Sequence, residues 1–327
     1  MLKILLVTDH KSGHESISKG IVKYLQEKDK VTVVEIYSHI RAKFLKKIAT
    51  FALNKIKLDA KNIKIFGKLF YKNLDLNLDL DYNLVISTGG DTSFLNILLA
   101  KYLNIPNIYC SSLRGLDNNL FTHIVSIKDN KISNEIVVAF PPIYMKRSKR
   151  ELEGKYIAIL IGGKTKNYPF GDEDFILLVQ KSIALAKKYN YKVLITTSRR
   201  TPLNVEEEIK LICDKNRDTL QRYVLFNQNP EKVVNYFLSN ADIVFCTEDS
   251  GSMITESILS ERKTYTLKNK NSKPNKLYKN FIEQNKALKY IKSINIDEIN
   301  TITFDEYFNK LEDAPAEKVI SAIKNIL

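Results

Sequence analysis

The chain has 327 residues, 44% of them hydrophobic, and 51 Lys+Arg against 37 Asp+Glu give a net charge of +14. That length predicts about two domains with real cores, and a total of only 11 Gly and 8 Pro excludes a disordered or fibrous chain. The longest apolar run, Tyr156 to Ile161, is too short to span a membrane, and three scattered cysteines, Cys110, Cys213 and Cys246, exclude a disulfide framework and fit a reducing cytoplasm.

In chain order, Lys3 to Thr8 reads as a buried-type strand, followed by a polar loop from Asp9 to Gly13 and a helix over His14–Gln26. Val31–Tyr37 and Asn83–Ser87 are further strands, the latter leading through Thr88-Gly89-Gly90-Asp91 into a helix over Thr92–Leu103. Short strands follow at Ile108–Ser111 and His123–Ser126. Pro141-Pro142 and the charged stretch Lys146–Glu153 read as a linker. The scheme then restarts: strand Tyr156–Ile161, loop Gly162–Asp174, helix Phe175–Tyr189, strand Lys192–Thr197, helix Val205–Asn216, strand Tyr223–Phe226, helix Val233–Ser239 and strand Asp242–Thr247. A helix begins near Ser250 or Ser252, and an amphipathic helix covers Ala316–Leu327. The pattern predicts an α/β chain with parallel sheets: domains 1–145 and 146–312, then a terminal helix within 313–327. Two such domains facing a cleft would bind ligand at the carboxyl ends of their strands.

Five loops at those ends can carry chemistry. In Asp9 to Glu15, Asp9, His14 or Glu15 could take a proton from a hydroxyl, or Asp9 or Ser12 could merely cap the helix. Ser87 to Thr92 offers glycines and a helix N-terminus suited to an anion, or simply a tight turn. Gly162-Gly163-Lys164 repeats that logic with added positive charge, without the spacing of a P-loop or of a dinucleotide fingerprint. Ser198-Arg199-Arg200-Thr201 places guanidinium forks where phosphate oxygens could be held. Glu248-Asp249-Ser250-Gly251-Ser252-Met253, with Glu256, combines hydroxyls and a helix start for phosphate with carboxylates for ribose or sugar hydroxyls. Asp79-Leu80-Asp81 precedes a strand and reads as a turn, and Asp172-Glu173-Asp174 as acids at a helix N-terminus. No convincing metal cluster is present.

These loops together resemble the mitochondrial-fission ELM ("elongated mitochondria") family, whose bacterial members are regarded as glycosyltransferases. The most specific matches are Ile195 to Pro202 and Thr247 to Met253, supported by Asp9 to Glu15, Leu84 to Gly90 and Ile159 to Tyr168. The chain departs from the family at His10 and Ser12, where Gly and Pro are usual, and at Ile17, where Gln is usual. The resemblance implies a GT-B-like fold: two Rossmann-like domains, the nucleotide-sugar on the second, and a C-terminal helix crossing back onto the first. It implies a metal-independent glycosyltransferase that takes a nucleotide-sugar as donor substrate and needs no other cofactor. The alternative is a non-catalytic membrane-associated adaptor that keeps the fold.

Between Arg41 and Lys72 ten basic residues accompany a single acid, Asp59, so this stretch holds +9 of the total. Read as one helix, Arg41–Lys57 puts Phe44, Leu45, Ile48, Phe51, Ala52 and Ile56 on one face and Lys43, Lys46, Lys47 and Lys57 opposite, with Arg41 and Lys55 at the apolar edge. A basic amphipathic helix of this kind predicts contact with an anionic membrane surface rather than nucleic acid. The expected location is cytoplasmic, peripheral to the inner membrane, with a lipid-linked or lipopolysaccharide-type acceptor.

Overall fold

The computed structural model describes residues 1–42, 44–56, 58–71, 81–146, 148–311 and 314–327. They form two compact units, 1–144 with 313–327, and 145–312.

The N-terminal unit runs β1 (Leu2–Thr8), α1 (Ser12–Lys28), β2 (Val31–Tyr37), α2 (Leu45–Lys55), α3 (Ala60–Phe70), β3 (Leu84–Thr88), α4 (Ser93–Leu103), β4 (Asn107–Cys110), β5 (His123–Ser126) and β6 (Glu135–Val137). Its sheet is wholly parallel, in the order β2-β1-β3-β4-β5-β6. Alternate side chains of a strand leave on opposite faces. Leu5, Val7 and Val85 therefore join a core with α2, α3 and α4, while Ile4, Leu6, Leu84 and Ile86 pack with α1.

The C-terminal unit runs β7 (Tyr156–Leu160), α5 (Asp172–Lys188), β8 (Lys192–Thr196), α6 (Leu203–Lys215), β9 (Leu220–Val224), α7 (Val234–Asn240), β10 (Ile243–Thr247), α8 (Gly251–Leu259), β11 (Lys263–Lys268), α9 (Lys276–Ala287) and β12 (Ile291–Asn295). The parallel order is β12-β11-β10-β7-β8-β9. Counted from β9 this is the third, second, first, fourth, fifth and sixth strand, the doubly wound Rossmann arrangement. The last helix, α10 (Pro315–Ile326), returns to the N-terminal unit. Its Val319, Ile320 and Ile323 are buried in one cluster with Ile21, Val22 and Leu25 of α1.

Several expected boundaries move. The helix after the first loop starts at Ser12 rather than His14, so His14 and Glu15 lie in its first turn. The helix expected from Phe175 starts at Asp172, because Asp174 accepts the Gly171 N–H at 2.8 Å and acids suit the orphan N–H groups of a first turn. The strand expected at Tyr223–Phe226 is Leu220–Val224. The helix expected over Arg41–Lys57 covers only Leu45–Lys55: Ile56 turns to φ −100°, ψ 133°, and Asp59 then caps α3 by accepting the Asn62 N–H. Its core face is Ala49, Ala52 and Leu53, so the apolar face read from the sequence divides: Ala52 is buried, whereas Phe44, Ile48, Phe51 and Ile56 are exposed. Lys43, Lys57 and Lys72 of the basic stretch, and Asp79 and Leu80 of the expected turn, lie outside the described residues.

Candidate functional site

Each sheet has one point where successive connections leave in opposite directions: between β1 and β3 in the N-terminal unit, and between β7 and β10 in the C-terminal unit. Open parallel sheets bind ligands at the carboxyl ends of the strands flanking such a point. The residues singled out above gather at these two places.

In the N-terminal unit, Asp9 follows β1 and His14 lies in the first turn of α1. Both Asp9 oxygens lie 3.0 Å from His14 Nδ1. The Asp9 side chain is 5% exposed and that of His14 33%. Burial by itself would raise the Asp9 carboxyl, but hydrogen bonds from Lys11 and His14 outweigh it and hold the group below its ordinary range. With Nδ1 donating to Asp9, Nε2 is the basic nitrogen, the arrangement that orients an imidazole for proton abstraction. Gly89, at φ +93° after β3, lies so close to this ring that a side chain there would overlap His14. Lys11 reaches Asp9 and Asp91, each at 2.9 Å, and Lys46 also pairs with Asp91.

Glu15, expected as an alternative base, is engaged otherwise. It accepts from Thr8 Oγ1 at 3.0 Å, contacts His10 Nδ1 at 3.0 Å and pairs with Lys19 at 3.4 Å. The hydrogen bond from His10 leads these influences in holding its carboxyl below the ordinary value.

In the C-terminal unit the three expected loops are sewn together. Gly162 N–H donates to Thr247 Oγ1 at 2.7 Å, and Gly162 O accepts from Ser198 Oγ at 2.8 Å and Thr201 Oγ1 at 2.5 Å. The Asp249 side chain is fully buried; it accepts the Gly163 N–H at 2.9 Å and pairs with Arg200 at 2.8 Å. A side chain at Gly162 would overlap the Asp249 carboxylate, and one at Gly163 the backbone of Arg200. Ser198, Thr201, Arg200 and Asp249 therefore hold the loops in place; both Asp249 contacts use Oδ2, and its buried Oδ1 has no hydrogen-bond partner. Lys164 pairs with Asp172 at 2.7 Å, and buried Glu248 accepts from Thr266 Oγ1 at 2.8 Å and Tyr168 Oη at 3.2 Å. Of the residues expected to hold a nucleotide-sugar, these make internal contacts.

What stays open is the N-terminus of α8. Ser250 is its N-cap residue, yet its side chain caps nothing. Gly251, Ser252 and Met253 continue the first turn with orphan N–H groups, and Ser252 is exposed. Glu256, one turn further, has its carboxyl pushed up by burial to about 7. Arg199 is exposed on the neighbouring turn. A helix N-terminus with free hydroxyls and one carboxylate can take phosphate oxygens and a diol. Tyr278, in a helix the sequence pattern left unassigned, donates to Glu248 O at 2.5 Å and lies against Gly251. Its only sequence signal is the Asn275 cap three residues earlier. Among the described residues no three His, Cys, Asp or Glu are grouped to hold a metal ion.

Residues 143–317 match the family model described as mitochondrial fission ELM1. None of the curated proteins matches the chain. Solved structures share the fold across its length. The S. aureus MnaA–UDP co-structure aligns over 100% of this chain and 98% of its own at 14% identity and a TM-score of 0.57. UDP-GlcNAc 2-epimerase from Methanocaldococcus jannaschii covers 99% of each chain at 13% identity and a TM-score of 0.54. Phytolacca americana UGT2, complexed with UDP-2fluoro-glucose and pterostilbene, covers 100% and 94% at 10% identity and a TM-score of 0.54. The architecture is that of GT-B enzymes: two parallel six-stranded α/β units, with the terminal helix returned to the first.

Proposed function

Because this chain belongs to the mitochondrial fission ELM1 family and has a GT-B fold, we propose that it is a glycosyltransferase using a nucleotide-sugar donor and a membrane-associated acceptor. The observation that carries the reading is the division of chemistry between the units. One carries an imidazole oriented by a buried carboxylate, the other an uncapped helix N-terminus with free hydroxyls. The solved structures of like fold include chains bound to UDP and to a UDP-sugar analogue.

In this reading the diphosphate lies at the N-terminus of α8, met by Ser250, Ser252, their N–H groups and Arg199, and Glu256 accepts from ribose hydroxyls. Developing charge on the leaving phosphate is stabilised by those fixed donors and needs no metal ion. His14 Nε2 takes the proton of an acceptor hydroxyl as its oxygen bonds to the anomeric carbon. The bond from that carbon to the phosphate breaks, and its electron pair leaves on the nucleotide. Asp9 holds the tautomer and steadies the imidazolium.

The membrane part of the proposal rests on α2 and α3. Phe44 is 69% and Phe51 68% exposed, and Ile48, Ile65 and Leu69 are each 49% exposed. Lys47 and Lys55 on α2 and Lys61, Lys64 and Lys68 on α3 are exposed as well. Large exposed apolar side chains on helices that also carry exposed lysines fit an anionic lipid surface, where the rings enter the headgroup boundary and the ammonium groups meet phosphate. Among the described residues no helix is long and apolar enough to cross a membrane. The proposed association is peripheral, through α2 and α3, with the protein on the cytoplasmic side of the inner membrane.

Calorimetric titration with UDP-, GDP-, ADP- and CMP-sugars tests the donor assignment. Binding of one of them at micromolar affinity is expected, and folded protein that binds none overturns the reading.

A further inference from the structure

Beside the donor loops of the C-terminal unit lies a cavity of about 530 Å³, at the carboxyl ends of β11 and β12. It is joined to those loops by hydrogen bonds. Lys273 N–H donates to Asn167 O at 2.8 Å, closing the loop after β11 onto the loop after β7. Tyr168 and Tyr278 both donate to Glu248, one to its side chain and one to its backbone.

The charge around this cavity is unbalanced. Lys270 pairs with Asp297 at 2.9 Å and Glu283 with Lys286 at 3.0 Å, so these two lining residues are accounted for. Glu248 is buried, and both its oxygens already accept hydroxyl hydrogen bonds. Lys268, Lys273 and Lys279 also line the cavity, and among the described residues none of them forms an ion pair with a carboxylate. Three lysines without an ion-pair partner line one concave space with the single buried carboxylate of Glu248, so positive charge exceeds negative there and attracts an anion. The diphosphate does not supply that anion in the arrangement proposed above, since Ser250, Gly251 and Ser252 do not line this cavity.

We propose that the glycosyl group on the donor is an acidic sugar whose carboxylate is received by Lys268, Lys273 and Lys279. The assignment rests on the donor reading given above and deepens it: the lysines select the sugar, while the N-terminus of α8 holds the nucleotide. Lysine suits this task because its compact charge on a flexible stem can meet a carboxylate at more than one sugar position.

The test sets a donor with an acidic sugar against its neutral counterpart or, for CMP, against the free nucleotide. UDP-glucose is paired with UDP-glucuronate, GDP-mannose with GDP-mannuronate, and CMP with CMP-N-acetylneuraminate, all titrated calorimetrically together with the free nucleotides. The full chain is used, as wild type and as a Lys273→Ala/Lys279→Ala variant whose two altered positions are exposed. For the nucleotide that binds, the acidic member of the pair should bind at least tenfold tighter. The variant should lose that gap while keeping its affinity for free nucleotide and its melting temperature. Equal binding of the neutral and acidic sugars, with nucleotide bound, overturns the proposal and leaves the donor reading standing. A gap that survives in the variant overturns the role of these lysines, and failure of every nucleotide to bind overturns both readings.

Discussion

Both oxygens of the Asp9 carboxylate lie 3.0 Å from Nδ1 of His14, and the carboxylate is buried while the ring is one-third exposed. A buried carboxylate behind a histidine fixes which nitrogen carries the proton. Asp9→Asn should lower turnover about 10²- to 10⁴-fold, as should His14→Ala. Nucleotide affinity, measured by calorimetry, should stay unchanged in both, because neither residue belongs to the donor unit. Equal loss of binding and turnover would contradict the base assignment.

Asp9 also gives the N-terminal unit a pH signature. Its carboxyl is held below the ordinary value, so the folded state binds the proton less readily than the unfolded one. The stability it contributes is therefore present above the unfolded pKa and is lost as pH falls through the folded one. Urea melts between pH 5 and pH 2 should show wild type losing this increment and Asp9→Asn lacking it.

Glu256 has the opposite sign. Burial raises its carboxyl to about 7, so the proton is held more tightly in the folded state, and stability falls as pH rises from the ordinary carboxylate range towards 7. Glu256→Gln should be more stable than wild type at pH 8, by more than about 1 kcal/mol, since a tenfold change in proton affinity between folded and unfolded states corresponds to about 1.4 kcal/mol. The same substitution should weaken nucleotide binding about tenfold. Wild-type binding near pH 6.5 should release protons, seen as a dependence of the calorimetric heat on buffer ionisation enthalpy.

Arg199 and Arg200 are adjacent yet separable. Arg200 is tied to buried Asp249, whereas Arg199 is exposed. Arg200→Ala strands a buried carboxylate and should cost about 2–4 kcal/mol in denaturant melts. Arg199→Ala should change stability by less than about 0.5 kcal/mol and act on nucleotide affinity instead.

Exposed Phe44 and Phe51 lead to a lipid prediction. Sedimentation with vesicles containing 30% phosphatidylserine, a composition set for the assay, should pull down wild type at ~0.1 M salt and far less at ~0.5 M. Phe44→Ser/Phe51→Ser should abolish the binding without lowering the melting temperature, because both rings already face solvent.

The apolar runs Ile4–Val7, Leu84–Ile86 and Tyr156–Ile161 were enough to place buried parallel strands, because only a sheet covered on both faces tolerates such continuity. β11 was harder to read. Lys263-Thr-Tyr-Thr-Leu-Lys is polar by composition and is buried only because it lies between β10 and β12. The split between α2 and α3 was equally hidden, since the lysine spacing continues through a chain turn that Asp59 decides.

For the candidate site, sequence by itself determined where the candidate loops lie: Asp9 to Glu15, Gly162 to Lys164, Ser198 to Thr201 and Glu248 to Glu256 all stand at carboxyl ends of strands, and strand periodicity suffices to locate those. Only the tertiary structure decided what each residue does there. Whether a carboxylate or guanidinium is free for a ligand depends on partners far away in the chain. One oxygen of Asp249 is taken by Gly163 and Arg200, Glu248 is spent on Tyr168 and Thr266, and Glu15 on Thr8 and His10, while Ser252 and Arg199 stay exposed. The same holds for the +14. Nine of those charges were visible as one basic stretch, but the three lysines around the C-terminal cavity, spread over residues 268 to 279, become one feature only where β11 and α9 bring them together.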